Sequence, residues 1–174
     1  MKCILFPPAA STEHTLRAMT DNRDAETVER TIPQPAEAIF AFLADPRRHQ
    51  EIDGSGSVRA AKSGPERMKL GDKFDVSMKF GVPYTTHNRV IEFEDNRRIA
   101  WTHGGSGPIG KLFGGAIWRY ELEPVSGGTL VRETWDFSST GIFKPLLGLK
   151  KPRTDARDGM EKTLEKIEKL LASE

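Results

Sequence analysis

The stretch Asp72–Phe80, DKFDVSMKF, decides the fold because its side chains alternate between apolar and polar. One face holds Phe74, Val76, Met78 and Phe80, and the other holds lysine, aspartate and serine side chains. Successive side chains of a β-strand point to opposite faces, so this pattern predicts a strand with one buried face. Such half-buried strands are typical of antiparallel sheets.

Further strands are predicted downstream, separated by short turns. They span residues 84–94, 97–103, 116–123 and 129–137. Gly, Pro, Asn and Asp residues occupy the connections, most clearly in the loop 125–128, VSGG. Strands that follow one another through short turns pair with their sequence neighbours, so a meander is expected.

Helices are predicted before and after these strands in the sequence. Residues 26–32, ETVERTI, form a first strand that ends at Pro33, and two short helices follow, at 36–44 and from Asp45-Pro46 to Glu51. After a Gly- and Pro-containing bridge, 138–152, one long helix ends the chain. Its apolar stripe consists of Ala156, Met160, Leu164, Ile167 and Leu171. That stripe must be buried, and the half-apolar meander is the large partner for it.

Length and composition favour one domain, residues 25–174, preceded by a poorly ordered leader, residues 1–24. The leader mixes Pro, Ser, Thr, Asp and Asn without periodicity, and Met19 is a candidate alternative start. With 26 basic and 25 acidic residues, the net charge of +1 provides no field that would recruit nucleic acid.

Compartment signals are few. The single cysteine, Cys3, excludes an internal disulfide and favours a cytoplasmic location. The four-residue apolar run that starts at Cys3 is too short for a signal peptide, and no apolar run is long enough to span a bilayer. The oligomeric state is left open.

The order of these elements resembles that of the START-like superfamily, also called SRPBCC, over residues 25–172. The resemblance is carried by residues 35–46, PAEAIFAFLADP, by Gly71-Asp72, by 98–101, RIAW, and by Gly128-Thr129. Within the superfamily the chain looks most like the polyketide cyclase/dehydrase group. The resemblance implies an α+β helix-grip fold, in which a curved antiparallel sheet wraps around the C-terminal helix and two short helices follow the first strand. It also implies a pocket for a small hydrophobic molecule.

Motifs for other chemistries fail in their context. Residues 105–110, GSGPIG, match a phosphate-binding loop, but a strand follows where a helix N-terminus is needed. The four histidines lack metal-ligand spacing, and no nucleophile elbow is present. We therefore expect no metal and no cofactor. Leu112 and Phe113, after this loop, are candidate ligand contacts at a pocket lip.

The predicted register places the three tryptophans in one row. If loop 125–128 closes a hairpin, Trp118 lies opposite Trp135, and a matching alignment adds Trp101. This row either fills the core or contacts a ligand. The candidate ligand contacts on the sheet and the helix are Phe74, Met78, Trp101, Trp118, Trp135, Phe137, Met160 and Leu164.

Glu133 alternates in phase with these apolar residues, so it is expected either to face the core or, if a bulge intervenes, to face water. An inward carboxyl requires compensation, for which Tyr120, His103 and Arg89 are candidates. Two functions stay open, beside a third possibility, a protein-interaction module, which no specific feature favours. One is a binding protein for a lipid- or polyketide-like molecule. The other is a cofactor-independent cyclase or dehydrase with Glu133 as base and Tyr120 or His103 as acid or oxyanion donor.

Overall fold

A seven-stranded antiparallel sheet forms one layer of the structure, a computed structural model that describes residues 24–105, 114–140, 144–147 and 149–173. The strands are β1 (Ala25–Ile32), β2 (Val58–Ser63), β3 (Lys73–Phe80), β4 (Val82–Glu94), β5 (Arg98–Gly105), β6 (Ile117–Val125) and β7 (Gly128–Asp136). Their order is β1-β7-β6-β5-β4-β3-β2. The predicted meander is therefore confirmed for β3 to β7; β2, which was not predicted, extends it at one edge, and β1 lies at the other edge beside β7.

The helices lie before and after the meander. They are α1 (Ala36–Ala44), α2 (His49–Ile52), α3 (Lys144–Leu147) and α4 (Lys150–Leu171), with a 3₁₀ turn at Pro46–Arg48. Asp45 caps that turn by accepting a 2.9 Å hydrogen bond from the backbone N–H of Arg47. The long helix starts at Lys150, earlier than predicted. The prediction assigned Pro152 to the bridge before the helix, but this proline lies in the first turn, where a backbone N–H has no intrahelical partner and is not needed.

The core lies between the concave side of the sheet and α4. Met160, Leu164 and Ile167 of the helix stripe are at most 1% exposed and belong to the same cluster as Phe74 and Val131 of the sheet. The curved antiparallel sheet and its long C-terminal helix confirm the predicted α+β helix-grip fold. None of the helices in the described ranges is long and apolar enough to cross a membrane.

Ion pairs join α4 to the edge strand β1. Arg30 donates a 2.7 Å hydrogen bond to Glu168, and Arg153 pairs with Glu26. Each pair joins a residue of β1 to a residue of α4, so these contacts fix the helix at two levels along the strand.

The segment after α2 crosses α4 at very close range. A Cβ atom on Gly54 would lie 2.2 Å from the carbonyl oxygen of Gly159, so only glycine fits there. The Gly54 N–H donates a 2.9 Å hydrogen bond to the Thr163 hydroxyl, which in turn donates to Gly159. This crossing places Asp53 beside the core.

The predicted leader, residues 1–24, lies outside the described residues except for Asp24. What was expected of it stays a prediction.

Candidate ligand-binding site

Strand register brings the three tryptophans into one row. Trp101 is paired with Trp118 across β5 and β6, and Trp118 with Trp135 across β6 and β7. The predicted hairpin register is confirmed, since Val125 pairs with Gly128. A single polypeptide turn therefore aligns the aromatic residues of two strands.

The aromatic rings divide into two groups. Trp118 stacks on Trp135 with 6.0 Å between ring centroids, and Trp135 lies 4.8 Å from Phe137. Trp101 turns away from this group and stacks on Tyr120 at 5.7 Å, with its far side against His49. Trp101 and Trp118 remain partly exposed. The other members of the two groups, Trp135, Phe137, Tyr120 and His49, are buried.

Glu133 points inward between these aromatic groups. It is 2% exposed, and its strand neighbours on either side are Tyr120 of β6 and Val28 of β1. The Tyr120 hydroxyl donates a 2.7 Å hydrogen bond to Oε1. Oε2 is buried and has no hydrogen-bond partner among the described residues. The alternative of a water-exposed carboxyl is thereby excluded.

Burial controls the protonation of this pair. Loss of hydration raises the pKa of Glu133 to about 8, although the hydrogen bond from Tyr120 opposes the shift and the negative charge of Asp53 adds to it. Burial, reinforced by Glu133, likewise raises the pKa of Tyr120 well above its ordinary value. At neutral pH both groups are therefore uncharged, and Glu133 is a carboxylic acid with a proton to donate. This protonation state suits an acid better than the base expected from the sequence.

The other candidate partners of Glu133 lie elsewhere. Arg89 pairs with Lys73 and Thr102 on the opposite face of the sheet, so the expectation that it compensates Glu133 was wrong. His103 lies four residues beyond Ile99, the neighbour of Tyr120, hence about 13 Å further along β5. Only Tyr120 among the three is placed beside the carboxyl.

Sequence reasoning did not single out His49, one of the four histidines without metal-ligand spacing. The imidazole is 8% exposed, and its Nε2 lies 3.0 Å from the carbonyl oxygen of Leu43, to which it donates. Burial lowers the pKa of His49, so the ring is neutral. Its position in a short turn after Asp45-Pro46 carries no sequence signal that distinguishes it from an exposed histidine.

The remaining predicted contacts are distributed around this face. Phe74 is buried and meets Trp101 edge-on at 5.8 Å, and Met78 is partly buried against the core. Met160 and Leu164 are buried on α4. Leu112 and Phe113 lie outside the described residues. Within the described ranges, no group of three His, Cys, Asp or Glu side chains could hold a metal ion.

A surface groove of about 250 Å³ is separate from this site. It is lined by Glu94, Arg97, Arg98, Glu121, Leu122, Glu123, Pro124, Leu130 and Arg132. These residues lie at the turn ends of β4 to β7, and none is a predicted site residue.

A curved sheet that grips a C-terminal helix, with a buried carboxyl among aromatic rings between them, defines a helix-grip domain of the START-like class. The chain belongs to the family described as polyketide cyclase/dehydrase and lipid transport, whose sequence pattern matches residues 25–172. The match includes every described strand and the long helix.

Similar proteins extend this assignment. The uncharacterized protein Rv0088 of Mycobacterium tuberculosis is 38% identical over 141 residues, which cover 78% of this chain and 59% of the relative. This chain thus spans little more than half the length of that relative. A crystal structure of NE0264 from Nitrosomonas europaea superimposes with a TM-score of 0.66 at 16% identity, covering 88% of this chain and 97% of the other. The solution structure of the Polyketide_cyc-like protein Cgl2372 from Corynebacterium glutamicum superimposes with a TM-score of 0.58 at 22% sequence identity. The superposition covers 85% of this chain and 91% of the other.

Proposed function

We propose that this chain binds a small apolar or aromatic molecule between the sheet and α4. The observation that carries the proposal is the Oε2 atom of Glu133, which is buried among aromatic side chains and has no hydrogen-bond partner among the residues that the structure describes. A buried polar atom left without a hydrogen bond costs about 1–3 kcal/mol, so it is retained where a bound molecule satisfies it. Family membership supports the same conclusion.

The surroundings suit a ligand of this kind. Trp101 and Trp118 are only partly buried, so part of each indole surface is available to contact a ligand. Binding sites for small molecules are lined mainly by apolar and aromatic side chains with a few polar groups that set orientation. Here the aromatic rings provide the apolar lining, and the Glu133–Tyr120 pair provides the polar group.

Intrinsic fluorescence provides a direct test. The chain contains three tryptophans, and all of them lie in this row, so ligand-induced changes in tryptophan emission report on this face. We expect native mass spectrometry and organic extraction to reveal a copurified molecule, or a screen of lipids and aromatic compounds to shift the emission. Trp118→Phe should reduce that shift. If extraction yields nothing and the screen leaves the emission unchanged, the binding proposal is wrong.

The second candidate is a cofactor-independent cyclase or dehydrase. It is favoured by the hydrogen bond between the Tyr120 hydroxyl and the Glu133 carboxyl, because both groups are uncharged and carry a proton. The Glu133 acid would donate a proton to a carbonyl oxygen of a poly-ketone chain, and Tyr120 would hold Glu133 in place. Turnover of a poly-β-ketone thioester should fall at least about tenfold in Glu133→Gln and in Tyr120→Phe, with binding retained. Unchanged turnover in both variants would exclude this mechanism.

A further inference from the structure

We propose that Glu133 is a specificity-determining residue that donates a hydrogen bond from Oε2 to an uncharged ligand and excludes carboxylate ligands. This inference rests on the proposed function and narrows it to a class of ligand. The molecule selected carries an uncharged acceptor, such as a ketone oxygen, on an apolar or aromatic body.

The hydrogen-bond arrangement assigns the donor. Tyr120 already donates to Oε1, so the acid proton of Glu133 is left for Oε2. That oxygen has no partner in the described part of the chain, and Glu133 is 2% exposed. A donor that is buried and unpaired is satisfied by an acceptor on the ligand. An apolar ligand without an acceptor leaves the donor unsatisfied.

Charge around the site opposes an anion. The titratable and charged groups on the elements packed around Glu133 include Tyr120 on β6, Glu26 and Arg30 on β1, His103 on β5, His49 in α2, Asp53 after α2, and Arg153, Arg157, Glu165, Lys166 and Glu168 on α4. Lys166 donates a 2.6 Å hydrogen bond to the backbone carbonyl oxygen of Asp53. Arg30 is held by Glu168, and Arg153 and Arg157 by Glu26. Burial keeps His49 neutral by lowering its pKa.

Asp53 therefore provides the charge that acts on Glu133, and it raises the pKa of that carboxyl. The same charge would repel a ligand carboxylate. A carboxylate would also lose its hydration without gaining a cationic partner in the described part of the site, which is costly. Both effects favour an uncharged ligand over its acid counterpart.

Three probes of nearly equal shape separate these effects. They are 2-acetylnaphthalene, which has a ketone oxygen, 2-isopropenylnaphthalene, which has a methylene in its place, and 2-naphthoate, which is a carboxylate. At about pH 7, where Glu133 is protonated, we expect the ketone to bind about tenfold tighter than the hydrocarbon. The carboxylate should bind most weakly. Tryptophan fluorescence titration measures all three.

Variants of Glu133 make the assignment specific. Raising the pH to about 9.5 ionises the carboxyl and should weaken ketone binding by about tenfold in the wild type. Glu133→Gln keeps an N–H donor that does not titrate, so its affinity for the ketone should stay constant over this pH range. Glu133→Leu should bind the ketone and the hydrocarbon equally. The matched control Glu123→Gln, an exposed position on β6, should behave as the wild type does.

The outcomes separate the inference from the proposed function. Equal affinity for ketone and hydrocarbon in the wild type, or preferred binding of 2-naphthoate, would overturn the ligand class while leaving the binding function intact. If ketone binding by Glu133→Gln weakened between about pH 7 and about pH 9.5 as much as binding by the wild type, the assignment to Glu133 would be overturned. Failure of all three probes to bind would count against both proposals.

Discussion

The imidazole of His49 stacks on the indole of Trp101, with 5.0 Å between ring centroids and 24° between ring planes. Trp101 stacks in turn on Tyr120, whose hydroxyl bonds to Glu133. A continuous line of contacts therefore runs from α2 to the buried carboxyl. Because His49 and Glu133 both titrate away from their ordinary values, each end of this line makes stability depend on pH.

Replacing His49 by phenylalanine should flatten the acid side of the stability profile. The folded-state pKa of His49 is lowered, so between about pH 6.5 and the folded value the unfolded chain binds more protons. His49 therefore removes stability as the pH falls below about 6.5. Urea unfolding at several pH values should show this loss in the wild type relative to His49→Phe. His87→Gln, at an exposed position, is the control, and equal slopes in all three proteins would contradict the prediction.

Glu133→Gln should stabilise the fold at neutral pH. The folded-state pKa is about 8, against 4.5 for the free group, so the folded chain binds more protons between those values. Stability then falls as the pH rises through this window, by up to about 1.4 kcal/mol per pH unit. The glutamine variant lacks this slope. Chemical denaturation from acid to alkaline pH measures it, and a variant less stable than the wild type near pH 8 would refute the assignment.

Tyr120→Phe should destabilise the fold and raise the pKa of Glu133 further. The substitution removes the 2.7 Å hydrogen bond and leaves both carboxyl oxygens without a partner from the described residues. We expect a loss of about 1–3 kcal/mol. Carbon NMR of labelled glutamate carboxyls follows the titration. Tyr84→Phe, at a half-exposed position, is the matched control. A pKa of Glu133 unchanged from that of the wild type would show that the hydrogen bond does not act on the carboxyl.

Gly54→Ala should weaken the attachment of α4. The added methyl group would lie 2.2 Å from the Gly159 carbonyl oxygen, so the helix or the crossing segment must move. Overpacking of this kind costs about 1–3 kcal/mol. Thermal unfolding provides the measurement. Gly104→Ala, where the methyl group would meet its nearest described neighbour at 3.8 Å, should leave the melting temperature nearly unchanged. Similar losses in both variants would show that the close approach is not responsible.

The fold was predictable because local patterns agree with the tertiary arrangement. Alternation in 72–80 and the turn at 125–128 determine which residues share a face, and the turn alone sets Trp118 opposite Trp135. The stripe on α4 then requires that face as its partner.

The site was less predictable, since register places Cα atoms and does not orient rings. Trp101 is paired with Trp118 in the sheet, yet its indole stacks on Tyr120 and His49. The direction of Glu133 depended on whether β7 carries a bulge. The described pairings of β7 show no register shift, and the shifts occur instead between Val90 and Glu92 of β4 and at two places along β2. Such departures depend on contacts between distant elements, which alternation within one strand does not encode.

The edge of the sheet at β2, to which no described strand is added, has a consequence for the behaviour of the chain in concentrated solution. Two register shifts interrupt its pairing with β3, and the residues displaced by them, Arg59 and Lys62, are exposed and positively charged. A second strand that tried to add there would find no continuous row of hydrogen-bonding groups and would have to approach two cations. We therefore expect the β2 edge to resist strand-to-strand aggregation, and replacing Arg59 and Lys62 by valine should lower the solubility of the protein.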